Sequence, residues 1–423
     1  GLAQVNIQTQ STAGVSRNVF SQFDVGADGA ILNNSRVNAQ TQLAGWVEGN
    51  PYLARGEARV ILNEVNSSDP SRLGGFTEIA GGRAELIIAN PAGITCSGCG
   101  FINASRTTLT TGNSLMDQGR LTGFDINAGN IRVDGTGLES STSDYTQILA
   151  KTTEINAAIY ANNLDVINGA NTVSYEVDAA NTVITPKTLN SNSPSNQTTG
   201  VALDVSALGA MYAGKIRLIG TEKGMGVTNA GSIIASNVSG LQLDSSGNLI
   251  NTGSLIANKG KVAIDADGNA VTNSGTIASS QKNIILDSQE LTNSGLISSY
   301  NQTQAVTQQR ITNSGTISSG QLNIKTIDLD NTGLIEQTGT GKLQVQSQKF
   351  INQDQATIGQ ALYDNQPIAT TPSVNTAPST ANTGAQNQVV DNTSNPSTNP
   401  DTPSASILAP VISDGSITAT TIS

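Results

Sequence analysis

The sequence predicts an all-β chain wound as a right-handed parallel β-helix, with an extra-helical hairpin and a disordered C-terminal tail. Three observations point there. An Asn-x-Gly triplet followed by an apolar residue recurs through the second half at nearly constant spacing. Between the triplets, apolar and polar residues alternate in short runs with the period of a strand, and no stretch sustains the i, i+3, i+4, i+7 pattern of an amphipathic helix. Aromatic residues are only 3% and charged residues 13% of the chain, so its core must be built from Ile, Leu, Val and Ala in thin layers.

The first 135 or so residues hold alternating strand-like runs at 5–7, 20–25, 30–32, 58–62, 84–89, 107–110 and 130–133. Two corners stand out among them. One is Asn50-Pro51-Tyr52-Leu53, ahead of the run 59–65, and the other is Asn90-Pro91-Ala92-Gly93-Ile94, after the run 85–88. Proline after asparagine fixes a turn and ends strand pairing, so each corner closes a strand in a compact loop.

Cys96 and Cys99 are the only cysteines, in a single C-x-x-C. Two thiolates without histidine or a second pair cannot make a four-ligand zinc site. A thioredoxin-type pair would stand at a strand-to-helix junction, whereas this one lies between strand-like runs. A structural disulfide is the favoured reading, with free thiols and a redox pair as the alternatives.

Residues 138–200 are expected to interrupt the coils. The runs 173–177 and 181–185, separated by Asp178-Ala179-Ala180, read as a hairpin projecting from the helix, and 190–199 as a mobile loop. Regular coils then follow. Triplets start at Asn229, Asn251, Asn273, Asn293, Asn313 and Asn331, with spacings of 22, 22, 20, 20 and 18 residues. A propeller blade needs about 40 residues and a leucine-rich repeat a denser Leu framework, so one β-helix coil per repeat fits better. Asparagines at one corner of successive coils can form a ladder, each donating to one neighbour and accepting from the other. The glycine two residues later supplies a positive φ or a close approach. Ordinary turns between antiparallel hairpins are the alternative, and they predict unequal lengths and a drifting apolar phase. From about residue 361 onward, Pro, Thr, Ser, Asn and Ala with little charge read as a linker or disordered tail.

The two corners carry a family resemblance. They are similar to the Asn-Pro-Asn-Leu and Asn-Pro-Asn-Gly-Ile signatures of the secretion domain of two-partner-secretion exoproteins, with Tyr52 and Ala92 in place of the second asparagine. That group contains filamentous haemagglutinin, contact-dependent growth-inhibition proteins and secreted haemolysins. The lead-in Ala84-Glu85-Leu86, the continuation from Cys96 to Asn103, and Ile31-Leu32-Asn33-Asn34-Ser35 also resemble it. The resemblance implies a secretion domain over residues 1–227, haemagglutinin-type repeats over 228–360 and a tail over 361–423. It carries over Asn50, Pro51, Leu53, Asn90, Pro91, Gly93 and Ile94 as secretion-motif residues, with turn building favoured over direct partner contact. It further implies export to the Gram-negative cell surface through the periplasm, capture by the periplasmic POTRA domains and barrel of an outer-membrane transporter, and presentation of a growth-inhibition toxin or an adhesin. A haemolysin is the alternative, and an adhesin would add a receptor on a target cell.

Composition excludes much else. The chain has no histidine, which removes Ser-His-Asp and Cys-His catalysis and His-ligated metals. A net charge of −11 with 21 scattered Lys and Arg offers no stripe for nucleic acid. No run approaches the ~20 apolar residues that span a bilayer. The chain opens on Val5 and Ile7 without a signal-peptide core, so any export signal is expected to have been removed. Gly339-Thr340-Gly341-Lys342 fails as a phosphate loop because Glu336 and Leu343 stand where Gly and Ser or Thr belong. Asp265-Ala266-Asp267-Gly268 reads as a solvated turn rather than a calcium loop. A β-helical polysaccharide lyase is the enzyme alternative, disfavoured by a single tryptophan, Trp46. The expectation is therefore no enzyme, cofactor, metal or small-molecule substrate.

Overall fold

A computed structural model describes residues 2–187 and 200–362, with the backbone of two further strands, Gln386–Val390 and Ile407–Leu408. They belong to two units, Gly1–Asn237 with Leu243–Gly247, and Val238–Gln242 with Asn248–Ser423. Each unit is a parallel β-solenoid with three sheet faces per coil.

In the first unit, one face stacks Val15–Phe20, Val60–Val65, Ala84–Ala89 and Ala104–Thr110 in parallel register. It continues through residues 145–150, 163–168 and Lys215–Gly220. A second face runs from Ala3–Asn6 through Ala30–Asn34 and Phe76–Gly81 to Ser232–Ala235. The third runs from Ser71–Leu73 through residues 94–97 and 130–134 to Met225–Asn229. Coil formation therefore continues through residues 130–168, which corrects the expectation that 138–200 interrupt it. On two of their faces those coils bury only one or two apolar side chains, such as Leu138, Ile155 and Ile159, so the alternation is easy to miss.

One departure from the coils falls inside the expected range, at 171–186, and another precedes it, at 113–126. Asn113–Asp117, Arg120–Ile126, Asn171–Ser174 and Ile184–Pro186 form a four-stranded antiparallel sheet outside the coils. Its last two strands are the expected hairpin, shortened at both inner ends. Val177 and Val183 lie in the connection, around a single 3₁₀ turn at Ala179–Asn181. Instead of projecting, the sheet lies flat on the first face. Leu121, Phe124, Ile126 and Val173 pack on Val60, Leu62, Ile87, Leu149 and Ile167. The alternate residues Ile61, Leu86, Ile88 and Ile148 fill the coil interior. Burial on both sides explains the unbroken apolar runs Val60–Leu62 and Leu86–Ala89 within these strands.

The second unit repeats one coil with little change. Leu255, Ile277, Ile297, Ile317, Ile335 and Ile358 stack in register as one column, none more than 1% exposed. The glycine after each asparagine is needed for close approach, not for positive φ. A Cβ on Gly295 would sit 2.1 Å from the Gly275 carbonyl oxygen, which accepts from Leu296 N. Gly295→Ala should therefore destabilise the unit by about 2 to 3 kcal/mol, since neither coil's backbone can yield. A thermal melt unchanged by this substitution would contradict the stacking.

Beyond the coils, Gln386–Val390 pairs antiparallel with Leu343–Ser347, and Ile407–Leu408 with residues 361–362. The composition of this stretch predicts no strand there. The rest of the tail and the loop at 190–199 lie outside the described residues.

Candidate functional site: the two Asn-Pro corners

Both corners have the same construction. Asn50 accepts from Tyr52 N on its side-chain oxygen (2.9 Å), while Leu53 N donates to the Asn50 carbonyl (3.3 Å), so Pro51 and Tyr52 are the middle of a turn. The Asn50 amide then reaches into two earlier segments, donating to Ile7 O and Asn33 O, each at 2.9 Å. At the second corner, Asn90 accepts from Ala92 N (3.0 Å) and Gly93 N donates to Asn90 O (3.0 Å). The Asn90 amide donates to Asp69 O at 2.8 Å and Ser71 Oγ at 3.0 Å. Each asparagine is a buried staple between coils, and each proline presets φ where no N–H is required.

This geometry explains the two departures from the family signature. The third residue contributes its backbone N–H, which tyrosine and alanine supply as well as asparagine. Gly93 is different, because its φ of +121° strains any side chain there. Leu53 and Ile94 are buried at 1% exposure, Ile94 in register with Ser71 and Ile131.

Cys96 and Cys99 form a disulfide with Cα atoms 5.3 Å apart, bridging a coil corner at Gly98, whose φ is +83°. Cys96 stacks between Leu73 and Val133, and Cys99 beside Leu138, so both sulfurs occupy positions that apolar side chains fill in adjoining coils. The column through Cys96 continues with Val133, Ile155 and Val205 and reaches Asn229. At Asn229 an amide takes the place of the apolar side chains in this column, and its side chain bonds to Gly231.

In the second unit the amide column is continuous. Asn251 donates to Asn273 (2.7 Å), Asn273 to Asn293 (2.8 Å), Asn293 to Asn313 (2.7 Å), Asn313 to Asn331 (2.8 Å) and Asn331 to Asn352 (2.8 Å). The last member escaped the sequence reading because Gln353-Asp354 follow it instead of x-Gly.

Other site residues also escaped it. Asn34 bridges Ala58 O and Gly82 O, both at 2.9 Å, and accepts from Ala58 N. Arg106, buried, donates to Gln147 Oε1 (2.7 Å) and Glu176 O (2.6 Å) and lies 3.9 Å over the Tyr175 ring. Tyr175 donates to Glu85 (2.7 Å), and burial holds its phenol well above the ordinary tyrosine range. These bonds tether the outer sheet to the coils. Glu85, a charged residue inside the apolar run Ala84–Ala89, was the available signal.

Comparison with known proteins decides what this fold belongs to. Residues 1–251 match the family model of the TPS secretion domain. The chain belongs to that family. Among curated relatives, this TPS secretion domain protein is similar to a Toxin CdiA of Yersinia pestis, 51% identical over 278 residues, 66% of this chain and 8% of that one. It is also similar to a tRNA nuclease CdiA-2 of Burkholderia pseudomallei strain 1026b, 46% identical over 255 residues, 60% of this chain and 8% of the other. The chain spans about 8% of the length of these relatives. The crystal structure of a filamentous hemagglutinin secretion domain superimposes with a TM-score of 0.55 at 28% identity, covering 76% of this chain and 93% of that one. The nuclease named in one relative is thus said of a protein that this chain matches over a twelfth or so of its length.

Proposed function

We propose that residues 1–227 are the export signal of a large cell-surface exoprotein, that 228–360 are its β-helical stalk, and that 361–423 lead toward whatever it presents. The observation that carries this is the pair of stapled corners inside the region that matches the TPS secretion domain. The replacement of apolar side chains by an amide at Asn229, in register with Val205, supports the boundary. The partner is an outer-membrane transporter of a Gram-negative bacterium, whose periplasmic POTRA domains take the chain before its coils close. Folding outside then gives direction without ATP, since each finished coil is the template edge for the next. The cargo is a contact-dependent inhibition toxin or an adhesin, and this portion is itself not catalytic.

The test uses purified periplasmic domains of the cognate transporter. Chain diluted from denaturant should be retained by them, and chain refolded beforehand should not. Equal retention of both would refute capture before folding.

A further inference from the structure

The outer sheet of the first unit covers a face that is complete before half of its cover exists. Six parallel strands, from Val15–Phe20 through Val60–Val65 and Ala84–Ala89 to residues 163–168, lay that face down. It extends over five coil steps, about 24 Å at ~4.8 Å each. Val60, Leu62, Ile87, Leu149 and Ile167 point outward from it and are buried under the sheet. One half of the cover, Asn113–Asp117 with Arg120–Ile126, comes from between these strands. The other half, Asn171–Ser174 with Ile184–Pro186, follows all six of them. The halves join where Gly123 to Ile126 pair with residues 171–174.

The late half also brings polar partners to the face. Arg106 donates to Glu176 O at 2.6 Å and stacks on the Tyr175 ring, while the Tyr175 hydroxyl donates to Glu85. The Gln147 amide donates to Thr182 Oγ1 at 3.3 Å. Until residues 171–186 are in place, the coils therefore present an apolar strip edged by the cation of Arg106 and the carboxylate of Glu85. An exposed strip of that extent is an interaction surface or an aggregation hazard.

We propose that the transporter's periplasmic domains hold the chain by this face, and that closure of the outer sheet over the same side chains releases it. Resting on the export reading above, this assigns the surface that is held and the step that frees it. The chain is made from its N-terminus, so the face precedes the second half of its cover, and a partner of the finished molecule never meets it bare. A holder that gripped the interior residues Ile61, Leu86 and Ile148 would have to let go before a coil could close. One that grips the alternate, outward residues leaves the interior free, so coils form while the chain is held. The surface that fits is apolar, with a carbonyl or carboxylate for Arg106. The sheet then competes for the same side chains, and being part of the same chain it acts at high effective concentration.

The experiment measures retention of the full 423-residue chain on immobilised periplasmic domains of the cognate transporter. Diluted from denaturant, the wild type should be retained. The outward triple Leu62→Thr, Ile87→Thr and Ile167→Thr should weaken that retention about tenfold or more, and the inward triple Ile61→Thr, Leu86→Thr and Ile148→Thr less than about twofold. Refolded chain carrying Phe124→Ser with Val173→Ser, whose sheet cannot pack, should bind about tenfold or more tightly than refolded wild type. Gly123→Val opens the sheet a second way, because a Cβ there would meet Val173 O at 2.5 Å where the halves join, and it should act alike. Circular dichroism reads whether the coils have reformed in these two variants, and the outward and inward triples decide the matter where they have not. Equal retention of the two triples, or refolded open-sheet chains released like the wild type, would overturn the proposal. So would an open-sheet chain that pairs with a second copy instead of binding the transporter domains. Wild type not retained even from denaturant would remove the export reading itself, and this inference with it.

Discussion

Ile297→Asp is expected to destabilise the second unit by on the order of 5 kcal/mol, enough to melt the coils around it. Ile297 stacks between Ile277 and Ile317 and is 1% exposed. Among the described residues the interior column on either side holds only aliphatic side chains, so a carboxylate there finds no cation. Loss of the isoleucine itself contributes about 2 kcal/mol of this. Each coil is also the edge on which its neighbours stack, so the damage should spread to both sides. Leu296→Asp is the control, because Leu296 is 37% exposed on the same strand and should change stability by about 0.5 kcal/mol or less. Denaturant unfolding followed by circular dichroism reads the difference, and similar midpoints for the two variants would refute the interior column.

The second large effect is expected at the corners. Asn50→Ala strands the carbonyls of Ile7 and Asn33 without their donor, and Asn90→Ala does the same to Asp69. Each should cost about 2 to 4 kcal/mol, because an unpaired buried carbonyl forfeits its solvation. Tyr52→Asn and Ala92→Asn restore the family signature and should be close to neutral, because the third residue acts through its N–H. Export yield should follow the same order. A corner asparagine whose loss abolishes export while leaving stability intact would mean that it touches the transporter directly, reversing the structural role assigned to it.

The repeats were legible in the sequence because one interior position recurs with one chemistry. Ile277, Ile297 and Ile317 are identical in type, and the asparagine beside each keeps its phase. The first unit hides the same architecture. Its columns accept any apolar group of suitable size, so Leu73, Cys96, Val133, Ile155 and Val205 stack with only valine recurring. The outer sheet was half legible. Its second hairpin was read, but the first turns on Gln118-Gly119, with φ of +49° and +80°, between paired Asp117 and Arg120. That is a two-residue turn with both φ positive, written with glutamine where Asn-Gly would have announced it. The corners were found as motifs, yet only their hydrogen bonds explain why Asn50 and Asn90 are retained while the third position varies.

The central claim is that the matched region directs export and the repeats follow it. The most direct measurement compares export of residues 1–251, residues 252–423 and the full chain, each behind the same cleavable signal peptide, with and without the cognate transporter. The account predicts that the full chain and residues 1–251 reach the medium only with the transporter, and that residues 252–423 stay in the periplasm either way. Export of the repeat fragment, or of residues 1–251 without the transporter, would contradict it.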